Sequence, residues 1–206
     1  MKWLTNYYSQ WQTKQLLVEQ AELVVLDLEL TGLDPRQHEI VSVGWLPIKA
    51  GRIAVSKAQY HINKEVTALA QSPVYHGIDA DTVAQGETMA TILAELHRAL
   101  TGKVLVCHNL PMDWGFLKAA MRKHHVTIRP KLLVDTLALE KRRILQQGYP
   151  LAQDALTLSA CRARYGLPAQ RSQHNALSDA LATAELLLAQ VQAISINGKC
   201  KVAELT

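Results

Sequence analysis

The sequence is short of cysteine and has no long apolar run. Its three cysteines, Cys107, Cys161 and Cys200, are scattered, and this spacing fits neither a disulfide framework nor a zinc knuckle. We therefore expect reduced thiols with a mostly structural role. No run is long and apolar enough to span a bilayer, and the first residues lack the apolar stretch and cleavage site of a signal peptide. These absences predict a cytoplasmic protein without a membrane partner.

Internal repeats and low-complexity segments are absent as well. The 206 residues, of which 49% are hydrophobic, suit one domain with a sizeable core. The net charge of +4 and the pI of about 9.0 permit a polyanionic partner without establishing one.

The order of the predicted elements indicates an α/β fold. A broken helical pattern over residues 3–19 predicts an N-terminal helix. Five β-favouring runs follow, at residues 22–29, 40–48, 52–61, 103–107 and within 131–139. Helices are predicted between the later β-favouring runs and after the last one. This order favours a mixed five-stranded sheet flanked by helices. We expect a helical extension over residues 1–21, one domain over 22–195 and a short tail over 196–206.

Four acidic residues and one histidine lie in three short clusters: Asp27 with Glu29, then Asp113, then His174 with Asp179. Carboxylates gathered in an apolar setting repel one another and are costly to desolvate. A multivalent cation relieves both effects, and hard cations such as Mg²⁺ prefer oxygen ligands. A histidine beside them can move a proton near neutral pH. The combination suggests metal-assisted hydrolysis.

The first cluster on its own has a second explanation. Asp27 and Glu29 stand at positions i and i+2 of a predicted strand, so their side chains would face the same side. If that strand ended at Leu26, both acids would instead be solvated turn residues.

The other two clusters also have explanations that require no site. Asp113 would lie in the first turn of a helix opened by Pro111, where a carboxylate favours the helix dipole. Asn109 before it would cap that helix, and His108 would be a hydrogen-bonded core residue. Asp179 falls just outside the apolar stripe of the last predicted helix, from which it would reach toward the sheet or remain solvated. Three such signals in this order, each at a strand end or a helix start, are hard to obtain by chance.

The three clusters read Asp-x-Glu-x-Thr-Gly, His-Asn-x-x-x-Asp and His-x-x-x-x-Asp. They resemble the exonuclease motifs of the DEDD superfamily, and the histidine five residues before the last aspartate is typical of its DEDDh branch. That branch includes the proofreading epsilon subunit of bacterial DNA polymerase III. The resemblance spans roughly residues 23–194, with secondary matches at 75–78, 134–136 and 158–166. One departure is Leu30 before Thr31, where the family often has two threonines.

The resemblance implies an RNase H-like fold and 3′→5′ removal of nucleotides from single-stranded ends, with DNA favoured over RNA. It implies two divalent metal ions, Mg²⁺ or Mn²⁺, with His174 as the general base. The implied metal ligands are Asp27, Glu29, Asp113 and Asp179. The implied substrate-binding residues are Thr31, Leu33, His76 and Asn109.

Two alternatives stay open at this point. One is an exoribonuclease of the same fold, because recognition of the 2′-hydroxyl depends on the shape of the site. The other is a nucleic-acid-binding module without catalysis. The stretch after the last predicted helix is short, so a stable polymerase partner is also left open.

Overall fold

A mixed β-sheet carries helices on both faces in this computed structural model, which describes residues 2–67, 69, 77–169, 175–195 and 199–206. Its strands are β1 Leu23–Leu30, β2 Ile40–Lys49, β3 Arg52–Ile53, β4 Gln59–Ile62, β5 Val104–Cys107 and β6 Leu132–Asp135. Its helices are α1 Lys2–Gln15, α2 Ala80–Ala84, α3 Met89–Leu100, α4 Leu110–Lys123, α5 Thr136–Gln146, α6 Leu158–Arg164 and α7 Ala176–Ile194.

The sheet has the strand order β3-β2-β1-β5-β6, and β4 pairs with the other part of β2. β1 is antiparallel to β2 and parallel to β5, and β5 is parallel to β6. The described residues therefore form six strands where the sequence predicted five. The difference arises at residues 52–61, where a 3-10 turn at Val55–Lys57 divides one predicted strand into β3 and β4.

Strand β1 is buried on both faces, which explains its nearly continuous apolar sequence. Leu23 and Val25 pack against the apolar stripe of α7 on one face. Leu26 and Leu28 pack against α3 and α4 on the other face. Side chains alternate along a strand, so Asp27 and Glu29 continue the set that faces α7.

Several boundaries differ from the expected ones. The N-terminal helix ends at Gln15, and a separate 3-10 turn follows at Val18–Gln20. Helix α2 begins where the side chain of Asp79 accepts a hydrogen bond from the backbone N–H of Thr82, at 2.8 Å. Helix α7 spans Ala176–Ile194 and carries the apolar stripe that was predicted for the last helix.

The three cysteines are free thiols and all are buried, as their scattered spacing predicted. Within the described part of the chain, no helix combines the length and the apolar character that crossing a membrane requires.

Candidate active site

The first acidic pair lies on the sheet face that α7 covers. Strand β1 continues to Leu30, so the alternative in which it ended at Leu26 is wrong. Asp27 pairs with Gly44 and Glu29 with Ser42 on the neighbouring β2. The regular pairing changes register only between Glu29 and Leu30. Both carboxylates therefore project from the regularly paired part of β1, and the change of register lies directly after Glu29.

Helix α7 brings Asp179 to this pair. The Asn175 side chain caps the helix, accepting hydrogen bonds from the backbone N–H groups of Leu177 at 3.1 Å and Ser178 at 3.2 Å. Asp179 stands in the first turn that this cap fixes. One carboxylate oxygen each from Asp27, Glu29 and Asp179 lie within 4.8 Å of one another, and all three residues are partly exposed. Three of the four predicted metal ligands thus meet at one place.

The fourth predicted ligand, Asp113, is buried in the first turn of α4. Burial raises the pKa of Asp27 well above its usual value, and the charges of Asp113, Asp179 and Glu29 raise it further. Burial also raises the pKa of Asp113, with smaller contributions in the same direction from Asp135 and Glu29, while a hydrogen bond with Cys107 opposes them. Asp113 therefore influences Asp27 electrostatically, although it does not belong to the three residues whose carboxylate oxygens lie within 4.8 Å of one another.

The turn that carries Asp113 is held by a residue outside the predicted set. Asp135 ends β6, and its Oδ1 accepts hydrogen bonds from the backbone N–H groups of Asn109 and Leu137, each at 3.0 Å. It therefore ties the start of α4 to the start of α5. Asn109 occupies the N-cap position of α4 in the left-handed conformation, with φ of 73°, but its side chain makes no capping hydrogen bond.

His108 has a structural role. Its Nδ1 lies 2.8 Å from the hydroxyl of Thr136, and its Nε2 lies 3.0 Å from the carbonyl oxygen of Leu156. Both ring nitrogens are therefore engaged between elements, which agrees with the explanation of His108 as a hydrogen-bonded core residue. Burial lowers the pKa of His108, so the neutral ring is favoured.

Of the predicted substrate-binding residues, Thr31 and Leu33 lie in the loop after β1, whereas Asn109 lies at the start of α4. The backbone N–H of Thr31 donates to the carbonyl oxygen of Glu39 at 3.0 Å, and the Thr31 hydroxyl accepts from the Glu39 N–H at 2.9 Å. Leu33 is 76% exposed. His76 and His174 lie outside the described residues, so their roles remain predictions.

A cleft of about 460 Å³ begins at Thr31 and runs along α4. The loop between β1 and β2 forms one wall, and Phe116 and Lys123 of α4 form part of the other. The loop that forms the first wall of the cleft also carries the exposed Leu33.

Sequence reasoning missed two residues next to the carboxylates, Gly44 and Tyr60. Gly44 is opposite Asp27 on β2, and Tyr60 is opposite Gly44 on β4. Burial raises the pKa of Tyr60, and the charge of the nearby Glu29 adds to the effect. A glycine inside a strand pattern often marks a close backbone approach, so Gly44 carried a usable signal. Tyr60 carried none, because its position depends on strand pairing.

The residues present fit a divalent cation. All four predicted ligands are carboxylates, which suit hard ions such as Mg²⁺ and Mn²⁺. Ligand oxygens on one Mg²⁺ lie about 3–4 Å apart, and those of Asp27, Glu29 and Asp179 already lie within 4.8 Å. Small side-chain rotations are enough to close the remaining gap.

Comparison with known proteins agrees with the motifs and the fold. Residues 24–187 match a protein family described as Exonuclease. The chain is 30% identical over 191 residues to a DNA polymerase III PolC-type protein of Thermotoga petrophila, covering 91% of this chain but only 13% of that protein. It is 28% identical over 171 residues to a DNA polymerase III subunit epsilon of Rickettsia prowazekii, covering 81% of this chain and 72% of that protein.

A solved structure of E. coli exonuclease I in complex with a dT13 oligonucleotide matches with a TM-score of 0.69 at 15% identity. The match covers 82% of this chain and 40% of that one, and it confirms the RNase H-like α/β fold. The family match covers most of the chain and includes Asp27, Glu29, Asp113 and Asp179. The chain belongs to the exonuclease family.

Proposed function

We propose that this chain is a metal-dependent 3′→5′ exonuclease that releases nucleoside monophosphates from the 3′ end of single-stranded DNA. The observation that carries the proposal is the meeting of Asp27, Glu29 and Asp179, of which one carboxylate oxygen each lies within 4.8 Å of the others. The charge of the buried Asp113 also acts on Asp27. Such a cluster opposes folding unless a cation neutralises it. A bound divalent cation would offset the repulsion, and metal-assisted phosphodiester hydrolysis uses carboxylates gathered in this way.

The four carboxylates would hold two divalent ions, Mg²⁺ or Mn²⁺, which supply Lewis acidity and neutralise charge on the attacking and leaving oxygens. Asp27 and Glu29 project from a strand that is paired with β2, so their backbone is held rigidly. Asp179 approaches from a capped helix end. His174, five residues before it, would take the proton of the attacking water, a task that suits an imidazole near neutral pH.

The surroundings of the site favour a flexible, single-stranded substrate. The exposed Leu33 offers an apolar surface for packing against a terminal base, and base stacking of this kind has little sequence preference. The cleft beyond Thr31 has Arg36 and Lys123 in its lining, where they can contact phosphates. E. coli exonuclease I, which has this fold, was solved with a DNA oligonucleotide, and this supports DNA as the substrate.

The proposal is tested with end-labelled single-stranded DNA, duplex DNA and RNA, each incubated with Mg²⁺, Mn²⁺ or a chelator. With a 5′ label, we expect a ladder of shortening products that requires a divalent ion and forms fastest on single-stranded DNA. The matched controls are Asp27→Asn, which should be inactive, and Asp154→Asn, which changes an exposed acid outside the cluster.

Other outcomes assign the chain differently. Cutting that continues in the chelator, or internal cuts alone, would refute the proposed reaction. Faster shortening of RNA would favour the exoribonuclease alternative. Binding of oligonucleotides without any shortening would favour the module without catalysis.

A further inference from the structure

The approach of α7 to the sheet depends on a position without a side chain. Gly44 is paired with Asp27 in the sheet, and directly opposed residues of an antiparallel pair face the same side. That side is the one covered by α7. A Cβ atom on Gly44 would lie 2.5 Å from the Cα of Leu177, and closer still to the backbone nitrogen of Leu177 and the carbonyl carbon of Ala176.

These neighbours are backbone atoms of the first turn of α7, so they cannot rotate away as a flexible side chain would. Contacts below 3.0 Å require something to shift, and ordinary van der Waals contact begins at 3.4 Å. A methyl group at position 44 would therefore push the first turn of α7 outward by about 1 Å. Asp179 stands in that same turn, so its carboxylate would move away from Asp27 and Glu29.

We propose that Gly44 is a positioning residue for the metal site: its missing side chain sets the distance between Asp179 and the Asp27–Glu29 pair. This inference rests on the proposed function and names a further determinant of the same site. Gly44 has no side chain to bind a substrate or a cation, so its proposed effect on the site runs through its contact with the first turn of α7. The rest of the helix is seated by its own apolar stripe, including Ala180 and Ala184, which packs against β1 and β2.

The test compares Gly44→Ala with Ala184→Val, a matched control that adds bulk to the same helix–sheet interface about two turns further along α7. Both substitutions overfill a close-packed contact and should lower the melting temperature. We expect Gly44→Ala to weaken Mn²⁺ binding, measured by calorimetry on the folded protein, by about 10- to 100-fold. The rate at saturating Mn²⁺ should also fall, by up to roughly 100-fold for a displacement of this size. Ala184→Val should bind Mn²⁺ as the wild type does.

Equal Mn²⁺ affinity in Gly44→Ala and the wild type would overturn the inference, and so would an equal loss in both variants. If Gly44→Ala does not fold, Asn175→Ala loosens the same turn without adding an atom to the strand. In that variant, an unchanged Mn²⁺ affinity would overturn the inference and a weakened one would support it. A wild type that binds no divalent ion and does not shorten DNA would overturn the proposed function itself, and this inference with it.

Discussion

Replacing Asp27 by Asn should stabilise the metal-free protein while abolishing its activity. At 4.8 Å, the upper limit of the separations within the cluster, Coulomb's law with an effective dielectric of about 20 gives a repulsion of roughly 3.5 kcal/mol for a pair of full charges. The three residues are partly exposed, so solvent screening removes part of this energy. The raised pKa of Asp27 reduces its charge and removes a further part. We expect a net gain of about 1–2 kcal/mol, which for a chain of this length raises the melting temperature by about 2–8 °C.

The gain should depend on pH. Burial and the neighbouring acids raise the pKa of Asp27 above its usual 3.8, so the folded protein holds this proton more tightly than the unfolded chain. The contribution of Asp27 to stability therefore falls as the pH rises from about 3.8 through its raised pKa. Because Asn carries no titrating charge, the advantage of the variant should be smallest in acid and largest near neutral pH.

Urea denaturation in mildly acidic and in neutral buffer, with chelator or with Mn²⁺, measures these effects. The wild type should gain stability from Mn²⁺, because a ligand that binds only the folded state stabilises it. Asp27→Asn should gain little from the ion. The exposed Asp154→Asn serves as the control and should behave as the wild type does. Lower stability of Asp27→Asn than of the wild type in neutral chelator buffer would refute the claim that the carboxylates repel one another in the metal-free fold.

Three further substitutions test separate parts of the molecule. His174→Ala should slow hydrolysis by roughly 10²–10⁴-fold while changing the dissociation constant for single-stranded DNA far less; equal losses in both would contradict its role as the base. Asp179→Ala should abolish cleavage and leave the circular dichroism spectrum unchanged, and strong residual cleavage would remove Asp179 from the site. Glu140→Gln should lower the free energy of unfolding by about 1–3 kcal/mol. The reason is that this fully buried acid accepts hydrogen bonds from Arg143 at 2.9 Å and from the Tyr165 hydroxyl at 2.8 Å. If urea denaturation shows a loss no larger than that of the exposed Asp154→Asn, these hydrogen bonds contribute little to stability.

The features that could be predicted from the sequence were those that depend on the periodicity of side chains within a single strand or helix. The alternation along β1 placed Asp27 and Glu29 on one face, and the apolar stripe of α7 placed Asp179 at its edge. Both patterns follow from the geometry of a single element. The approach of Asp179 to the sheet could therefore be expected before any tertiary contact was known.

The missed features depend on pairing between distant segments. Asp27, Gly44 and Tyr60 form one row across three strands, and only the registers of β1, β2 and β4 bring them into line. The bond from the Asn109 N–H to Asp135 likewise joins two strand ends that are 26 residues apart in sequence. A single sequence carries no record of such registers, because many pairings satisfy the same alternation of side chains.

The carboxylates of the cluster come from two elements that differ in how easily they can move, namely strand β1 and the end of helix α7. Asp27 and Glu29 belong to β1, in which the preceding residues Val25 and Leu26 are fully buried. Val25 packs in the core on one face of the sheet and Leu26 in the core on the other face. A close-packed strand of this kind cannot move to relieve repulsion among the acids. Asp179 instead stands in the first turn of a helix, where the Asn175 side chain caps the backbone and Ala176 and Ala180 pack against the sheet. Metal binding should therefore be accommodated by the side chain of Asp179 and by adjustment of the first turn of α7, with β1 left in place, because the end of a helix can move at a smaller cost in packing than a strand that is buried on both faces.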